Sequence, residues 1–316
     1  MYEPGLERSV MKSTPHVPLW QHIPGVRGWI IRRRGRLGKR RLAQAYRCFS
    51  EIAGLEGVSE IRFDSSGCAF TLTDGSQFRL DLSKAAGWLY SVPFIGSFEK
   101  KETDYVRKIV QSGWVCVDVG GCFGWYSILL SRAIGPTGQV HVFEPVPPNF
   151  ECLADNVALN GATNIRLNNV ALGDQPGRLQ LFLPDEGVSA SFQPHSSRSK
   201  CTVLEADVTT LDSYTHQAGL ARLDFLKADI EGAELLLLKG GRQTLQRFKP
   251  TLLLEIQAHS TRLFGHEPVA VFNFLKDLGY RANYLKQDGA LVPVEMDRLD
   301  SLPDFNFVFV HPQPIV

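Results

Sequence analysis

The chain has 316 residues, of which 44% are hydrophobic and 21% are charged, and its formal net charge is +1. These values are ordinary for a soluble globular protein, and a charge this close to zero indicates no class of partner by itself. No stretch reaches the roughly 18 apolar residues of a membrane span, and the N-terminus has no apolar signal core. The six cysteines form no C-x-x-C pair and no zinc-like set, so we expect a cytoplasmic protein.

The N-terminal part of the chain is basic. Residues 1–26 are rich in Pro, Gly and His and are interpreted as a loop or arm. Arg27–Arg47 holds nine Arg or Lys and no acidic residue, which predicts a basic amphipathic helix, although Gly35 and Gly38 weaken that prediction. Such a segment is typical of contact with nucleic acid, an anionic membrane surface or an acidic carrier, and also of a solvated helix packed on its own domain. The residues leave these alternatives open.

Alternation with a period of two follows between Val58 and Leu82. The segments Ile61–Phe63, Ala69–Leu72 and Gln77–Leu80 are separated by turn residues, which predicts a small antiparallel meander. Three short strands are too few for independent stability, so we expect the meander to pack on the domain that follows it. We assign residues 1–96 to an N-terminal appendage and residues 97–316 to a second domain.

From Pro93 onwards, predicted helices and apolar strands alternate, which is typical of a parallel sheet covered on both faces. The predicted strands are Val115–Val119, Gln139–Phe143, Ile165–Ala171, Leu223–Ala228 and Thr251–Ile256. The predicted helices are Glu99–Gln111, Trp125–Ala133, Pro148–Asn160, Ala233–Arg247 and Pro268–Leu278. Ala282–Leu285 and Asn306–Val310 are expected to close the sheet as an antiparallel hairpin. The fold class is therefore α/β, a Rossmann-like and mostly parallel sheet.

A glycine-rich turn between the first of these strands and its helix carries the strongest functional signal. It contains Asp118, Gly120, Gly121 and Gly124, and a strand before and a helix after it are the context that a nucleotide-type fingerprint requires. Glu144 ends the next strand, where a carboxylate can accept hydrogen bonds from ribose hydroxyls.

The same turn favours S-adenosylmethionine (AdoMet) over a dinucleotide. The G-x-G-x-x-G spacing is absent, because Asp118 stands where its first glycine would fall. A carboxylate beside the loop suits a cationic sulfonium ligand and repels a diphosphate. The end of the third strand, at Asn169 and Val170, is the expected wall for adenine. Trp125 and Tyr126 are interpreted as packing residues.

Leu226-Lys227-Ala228-Asp229-Ile230-Glu231-Gly232-Ala233-Glu234 resembles the L-K-x-D-V/I-E-G-x-E signature of the FkbM family of methyltransferases. Further pieces that resemble the family occur in the same order over about two thirds of the chain, among them Phe143-Glu144-Pro145 and Pro250–Ile256. The family loop usually reads D-V-G-A-N-x-G, whereas Gly121, Cys122 and Phe123 stand here in place of A-N-x. The resemblance implies AdoMet-dependent methylation of a hydroxyl on a natural product, a sugar or a glycoconjugate.

Transfer of a methyl group to an alcohol requires a base for the proton of the hydroxyl. Asp229 is the first candidate, with Glu231 two residues on to share or orient it, since two adjacent carboxylates raise the pKa of one of them. The alternative is that Asp229 positions the cofactor or caps the helix at Ala233. Glu255 and His259, after the fifth strand, are further candidates for the base or a substrate ligand. Asp229 and Glu255 together could also hold Mg²⁺, but a third ligand is missing, so we expect no metal.

Three readings of the function compete. The principal one is a small-molecule or glycan O-methyltransferase, in which a Ser-rich stretch around Ser191 lies next to the acceptor or is only a surface loop. The second is an RNA methyltransferase anchored by Arg27–Arg47, against which the C-terminal domain shows no basic stripe with aromatic residues. The third is a scaffold without activity, which the intact Asp118, Glu144 and Asp229 disfavour.

Overall fold

A computed structural model of the chain describes residues 39, 57–64, 67–80, 98–184, 201–301 and 305–312. The predicted basic helix over Arg27–Arg47 lies outside the described residues except for Lys39, which is exposed, and the stretch around Ser191 lies outside them entirely. Within the described ranges, every helix is too short or too polar to cross a membrane.

The predicted meander is present, with strands β1 (Val58–Asp64), β2 (Gly67–Leu72) and β3 (Gln77–Leu80) paired antiparallel in that order. It falls in the compact unit Leu55–Val316, together with the large sheet, while Met1–Gly54 forms another unit. The boundary that the sequence predicts after residue 96 stays a prediction, because residues 81–97 are not described.

An eight-stranded sheet forms the centre of the larger unit, in the order β13-β12-β14-β11-β10-β4-β5-β6. It has five parallel strands of four or five residues, most of them predominantly apolar, as expected when both faces are covered. They are β4 (Val115–Val119), β5 (Gln139–Phe143), β6 (Ile165–Asn168), β10 (Phe225–Ala228) and β11 (Thr251–Glu255). The antiparallel strands are β12 (Arg281–Leu285), β13 (Leu291–Pro293) and β14 (Asn306–Val310).

Helices connect these strands, and their apolar sides cover the sheet. They are α1 (Lys100–Ile109), α2 (Trp125–Ile134), α3 (Pro147–Leu159), α4 (Leu211–Gln217), α5 (Glu234–Gly240), α6 (Arg242–Phe248), α7 (Ala258–Leu263) and α8 (Pro268–Asp277). A 3-10 helix spans Met296–Ser301. A third, three-stranded sheet has the order β7-β9-β8 and consists of β7 (Ala171–Leu172), β8 (Gly177–Pro184) and β9 (Cys201–Thr209).

The predicted Rossmann-like α/β class is confirmed, but three of the predicted elements differ. The helix predicted over Ala233–Arg247 is two helices, which meet at Gly241, where the backbone leaves the helical conformation. The strand predicted over Ile165–Ala171 ends at Asn168, and Ala171 pairs with β9 in the third sheet.

The third difference is at the edge of the large sheet. Strands β12 and β14 pair antiparallel, as predicted, but they are not a simple hairpin. Strand β13 folds back on β12 first, and β14 then inserts between β12 and β11. The chain therefore crosses over before it closes the sheet.

The meander packs on the rest of its compact unit, as the sequence predicts. Asparagine side chains in and just after α3 accept hydrogen bonds from the backbone of its edge strand, β3. The backbone N–H groups of Gln77 and Arg79 donate to the amide oxygens of Asn160 and Asn156, at 2.9 and 2.7 Å. Phe78, between them, is buried and stacks on Trp125 with ring centroids 5.3 Å apart. Trp125 is thus a packing residue, as predicted, and the first turn of α2 rests on the meander.

We predict that Phe78→Ala lowers the free energy of unfolding by about 3–5 kcal/mol, since it removes a buried ring from a stacked contact. Urea unfolding of the full chain measures this change. Phe305→Ala is the matched control, because the Phe305 side chain is 55% exposed and its loss should change stability by less than about 0.5 kcal/mol. Equal effects of the two substitutions would contradict the packing described here.

Candidate functional site

The order of the large sheet places a crevice at the carboxyl ends of β4 and β10. From β4, the chain continues to β5 and β6 on one side, while β10 and β11 lie on the other. A reversal of strand order of this kind is where ligands bind in open α/β sheets. The glycine loop after β4 and the segment that begins at Asp229 after β10 both lie there, and the backbone N–H of Asp229 donates to the carbonyl of Val119 at 3.2 Å.

Gly120 makes the closest contact across this crevice. Its φ is 82°, and an added Cβ would lie 2.1 Å from the carbonyl oxygen of Asp229. Its N–H donates to the carbonyl of Phe143 at 2.9 Å, which links the loop to β5. Gly124 follows with φ 97° and is the N-terminal cap of α2. Only glycine allows the loop to approach both neighbouring strands at position 120.

The two departures from the usual loop of the FkbM family have local explanations. At Gly121 the added methyl of alanine would lie 2.4 Å from the Cγ1 of Val142, so this neighbour requires glycine. Cys122 stands at the position of the usual asparagine and has φ 54°, a left-handed conformation that asparagine tolerates better than most residues. Cys122 therefore keeps the backbone geometry of the loop at some conformational cost.

Glu144 joins the loop to the next strand end. Its side chain is buried, and its two carboxylate oxygens accept from the backbone N–H groups of Cys122 at 2.8 Å and Val146 at 2.9 Å. Burial raises its pKa to about 7, although both of these N–H groups favour the carboxylate. Asn169 donates to the Glu144 backbone carbonyl at 2.8 Å.

Asp118 lies behind the loop. It is 1% exposed, and one carboxylate oxygen accepts from the Ser127 hydroxyl of α2 at 2.6 Å. The other oxygen has no hydrogen-bond partner among the described residues, and burial raises the pKa of the group. Asp118 thus holds an unused acceptor next to the glycine loop.

A buried lysine meets the carboxylates at the ends of the central strands. Lys227, on β10, places its Nζ 3.4 Å from the Oδ2 of Asp229. Burial opposes ionisation of Asp229, but the charge of Lys227 together with the hydrogen bonds from Glu255 and Lys227 outweighs it, so the pKa of Asp229 is lowered. Burial and then the charge of Asp229 raise the pKa of Glu255, which ends β11. At neutral pH, Asp229 is therefore ionised and Glu255 is protonated.

This arrangement corrects two expectations about Asp229. The carboxylate that interacts with it is Glu255 and not Glu231, and of the two it is Glu255 whose pKa is raised. Asp229 does not cap the following helix either, since no side chain among the described residues caps the N-terminus of that helix. Glu234 instead accepts from the backbone N–H groups of Ile230 and Gly232, both at 3.2 Å. Glu234 is buried, and this burial raises its pKa to about 7.

A pocket opens between the glycine loop, the end of β5 and the segment after β10. It holds about 580 Å³ of empty space, a figure that includes open solvent. Glu144, Asp229 and Glu231 supply carboxylates, Val146, Leu181 and Ile230 supply an apolar wall, and no basic side chain is among its described lining residues. This lining fits a cationic ligand with a ribose and an apolar ring, as AdoMet is, and disfavours a diphosphate.

The remaining predicted residues lie away from this lining. His259 is exposed on α7, Asn169 is exposed, and Val170 packs against the main core. Their predicted roles stay predictions. Within the part of the chain that the structure describes, no three side chains of metal-ligating type come together, and the cation beside Asp229 is Lys227.

Sequence reasoning assigned no role to Lys227, Glu234 or Glu99. The first two belong to the L-K-x-D-I-E-G-x-E segment, but only Lys227 had a usable signal in its spacing from Asp229, because residues two apart along a strand share a face. Glu99, whose Oε2 accepts from the hydroxyl of the buried Tyr126 at 2.5 Å, comes from a different element and had no such signal.

Several known methyltransferases resemble this chain. The sequence-family model of the methyltransferase FkbM domain matches residues 118–282, from the first carboxylate of the loop to β12. A 31-O-demethyl-FK506 methyltransferase of Streptomyces tacrolimicus is 26% identical over 166 residues, which cover 43% of this chain and 63% of that protein. The 2-O-methyltransferase NoeI of Sinorhizobium fredii is 29% identical over 127 residues, 35% of this chain and 51% of NoeI.

The chain spans between 51% and 63% of the length of the curated relatives described here. Among solved structures, an FkbM methyltransferase of Methylobacillus flagellatus is 18% identical, with a TM-score of 0.41. That alignment covers 70% of this chain and 54% of the other.

We predict that Gly120→Ala lowers the free energy of unfolding by more than about 2 kcal/mol, because the new methyl meets a backbone oxygen and the left-handed φ disfavours alanine. Gly161→Ala isolates the second contribution, since Gly161 has φ 59° and nothing within 4 Å of an added Cβ. The free energy of unfolding should fall by about 1 kcal/mol in Gly161→Ala. Urea unfolding compares the two, and an equal loss would show that the contact with Asp229 is not constraining.

Proposed function

The chain belongs to the FkbM family of methyltransferases, whose methyl donor is AdoMet, and we propose that it methylates a hydroxyl oxygen of a natural product, a sugar or a glycoconjugate. One observation carries this proposal: the ionised Asp229 lines the pocket beside the backbone of Gly120. A group that can take a proton thus lies next to the loop that fits the methyl donor.

The described residues suggest how the donor is held. Glu144 is the acceptor for ribose hydroxyls, and Val146 and Leu181 offer an apolar surface for a ring. Asp118, Asp229 and Glu231 surround the glycine loop with negative charge, which favours a cation. When bound, AdoMet supplies an electrophilic methyl group on a sulfonium that leaves readily.

The proposed work of the chain is to position the acceptor and receive its proton. Asp229 accepts the hydroxyl hydrogen, because it is ionised and faces the pocket, while Glu255 keeps a proton on the far side of the pair. A low pKa makes Asp229 a weak base, so proximity contributes more than basicity. Glu234 holds the backbone of Ile230 and Gly232, and so keeps the segment after β10 in place.

Two considerations favour a small hydroxylated acceptor over RNA. Two of the similar proteins are named for methylation at oxygen, one as a 31-O-demethyl-FK506 methyltransferase and the other as a 2-O-methyltransferase. The described lining of the pocket has carboxylates and no basic side chain, which disfavours a polyphosphate. The RNA alternative rests on Arg27–Arg47 alone.

The test is incorporation of label from methyl-labelled AdoMet into three pools: hydroxylated natural products, saccharides and RNA. We expect label in one of the first two, as a base-stable ether that mass spectrometry locates on oxygen. Label in RNA, or on nitrogen, would overturn the proposed acceptor. Calorimetric titration of AdoMet on the same protein tests the donor separately, and an absence of binding would remove the whole proposal.

We predict that Asp229→Asn lowers turnover by about 10²- to 10⁴-fold, as loss of a general base does, while the affinity for AdoMet falls by less than about tenfold, because other carboxylates remain beside the glycine loop. Glu255→Gln is the matched control, because an amide resembles the protonated acid that is already present, and turnover should stay within about tenfold. Initial rates with labelled AdoMet and calorimetry give the two quantities. Turnover by Asp229→Asn at the wild-type rate would exclude this base.

We predict that AdoMet binds more weakly at pH 6 than at pH 8, because Glu144 is protonated below its raised pKa of about 7. A neutral acceptor makes weaker hydrogen bonds than a carboxylate, so the dissociation constant should rise by about three- to tenfold. Glu144→Gln should bind weakly at both values. Glu234→Gln is the control, since burial also raises its pKa to about 7, and it should keep the pH dependence.

A further inference from the structure

Lys227 lies in the centre of the carboxylate cluster without lining the pocket. Its side chain is 5% exposed, although it carries a charge and a long stem. In the parallel pairing of β10 with β4, Lys227 is the partner of Asp118, so both side chains lie on one face of the sheet. Its Nζ is 3.4 Å from Asp229 and 4.9 Å from the centre of the Tyr126 ring, on α2.

A buried ammonium is expensive unless opposite charges compensate for it. Burial alone would lower the pKa of Lys227, but the carboxylates of Asp229, Asp118, Glu99 and Glu255 outweigh it and raise the pKa. The face of an aromatic ring adds a further favourable contact. Lys227 is therefore charged, and it is the cation among several acidic groups that cannot all ionise together.

We propose that Lys227 is a positioning residue, whose buried ammonium keeps Asp229 ionised and directed to the pocket while Glu255 retains its proton. It acts through Asp229 and touches neither donor nor acceptor. In this structure a side chain of the protein supplies the positive charge that would otherwise have to come from a bound cation. The protonation state of the pair is thereby set before any ligand arrives.

Titratable neighbours surround the pair on every side. Glu255 opposes Asp229 from β11, and Asp118 faces Lys227 from β4. The other titratable groups that interact with Lys227, with Asp229 or with their direct neighbours are Glu99, Glu102, Cys122, Tyr126, Glu144 and Glu234. All of them are acids, so removal of Lys227 leaves the cluster with excess negative charge that only protonation can relieve.

The inference concerns protonation, and only its consequence for turnover rests on the proposed function. In the wild type, ionised Asp229 stabilises the fold at pH values above the pKa that this group has in the unfolded chain. This contribution is lost as the pH falls through the lower pKa that the group has in the folded protein. In Lys227→Met, burial is opposed only by the smaller effect of the hydrogen bond from Glu255, so the pKa of Asp229 rises above its unfolded value. The folded variant then holds a proton that the unfolded chain releases, and stability falls as pH rises.

Urea unfolding of the full chain between about pH 5 and 8 measures this effect without any ligand. We expect the slope of unfolding free energy against pH to become more negative in Lys227→Met, by up to about one proton bound on folding. Lys227→Arg is the matched control: it keeps the charge and should keep the wild-type slope. An unchanged slope in Lys227→Met would overturn the proposal, because a merely structural lysine changes stability at every pH alike.

Lys227→Met alone can fail to fold, so the double variant with Asp229→Asn completes the test. If Lys227 acts through Asp229, the double variant is more stable than the sum of the two single losses predicts, and its slope returns to that of Asp229→Asn. Additive losses would contradict the proposal. AdoMet calorimetry on Lys227→Arg separates the two hypotheses, since a failure to bind there with a wild-type slope contradicts the proposed function alone.

Discussion

The close approach of Gly120 to the carbonyl of Asp229 is the constraint on which the site depends. The glycine loop follows β4 and Asp229 follows β10, so this contact joins the two directions in which the sheet grows. A side chain at position 120 would separate them and open the crevice. Because the loop also hydrogen-bonds to the end of β5, one glycine brings three strand ends together. This junction positions the pocket, its carboxylates and the buried lysine.

Environment then assigns different states to chemically similar groups at this edge of the sheet. Asp229 and Glu255 end neighbouring strands, yet the ammonium beside one and the burial of the other separate their pKa values in opposite directions. Glu144 differs again, since two backbone N–H groups hold it while burial raises its pKa. Groups with separated pKa values at one site are typical of acid-base function. The separation here needs no ligand.

The small meander is part of the support for this site rather than a separate module. The backbone of its third strand donates hydrogen bonds to two asparagine side chains in and just after α3. One of them, Asn156, also donates to the carbonyl of Phe123 in the glycine loop, at 2.9 Å. Phe78 rests on Trp125 in the first turn of α2. The meander thus backs the loop and the helix that follows it. Sequence differences in this region would reach the cofactor side through packing, without contact with the ligand.

The sequence by itself determined the sheet, the glycine loop and the family, because apolar runs, turn residues and fixed spacings are local properties. It predicted β4 and β5 residue by residue, and it selected Asp118, Glu144 and Asp229. Only the tertiary structure decided that Glu255, rather than the nearer Glu231, pairs with Asp229, and that Lys227 lies between the carboxylates. Such pairings join residues on different strands, and the protonation state of each follows from burial and from neighbours far away in the chain.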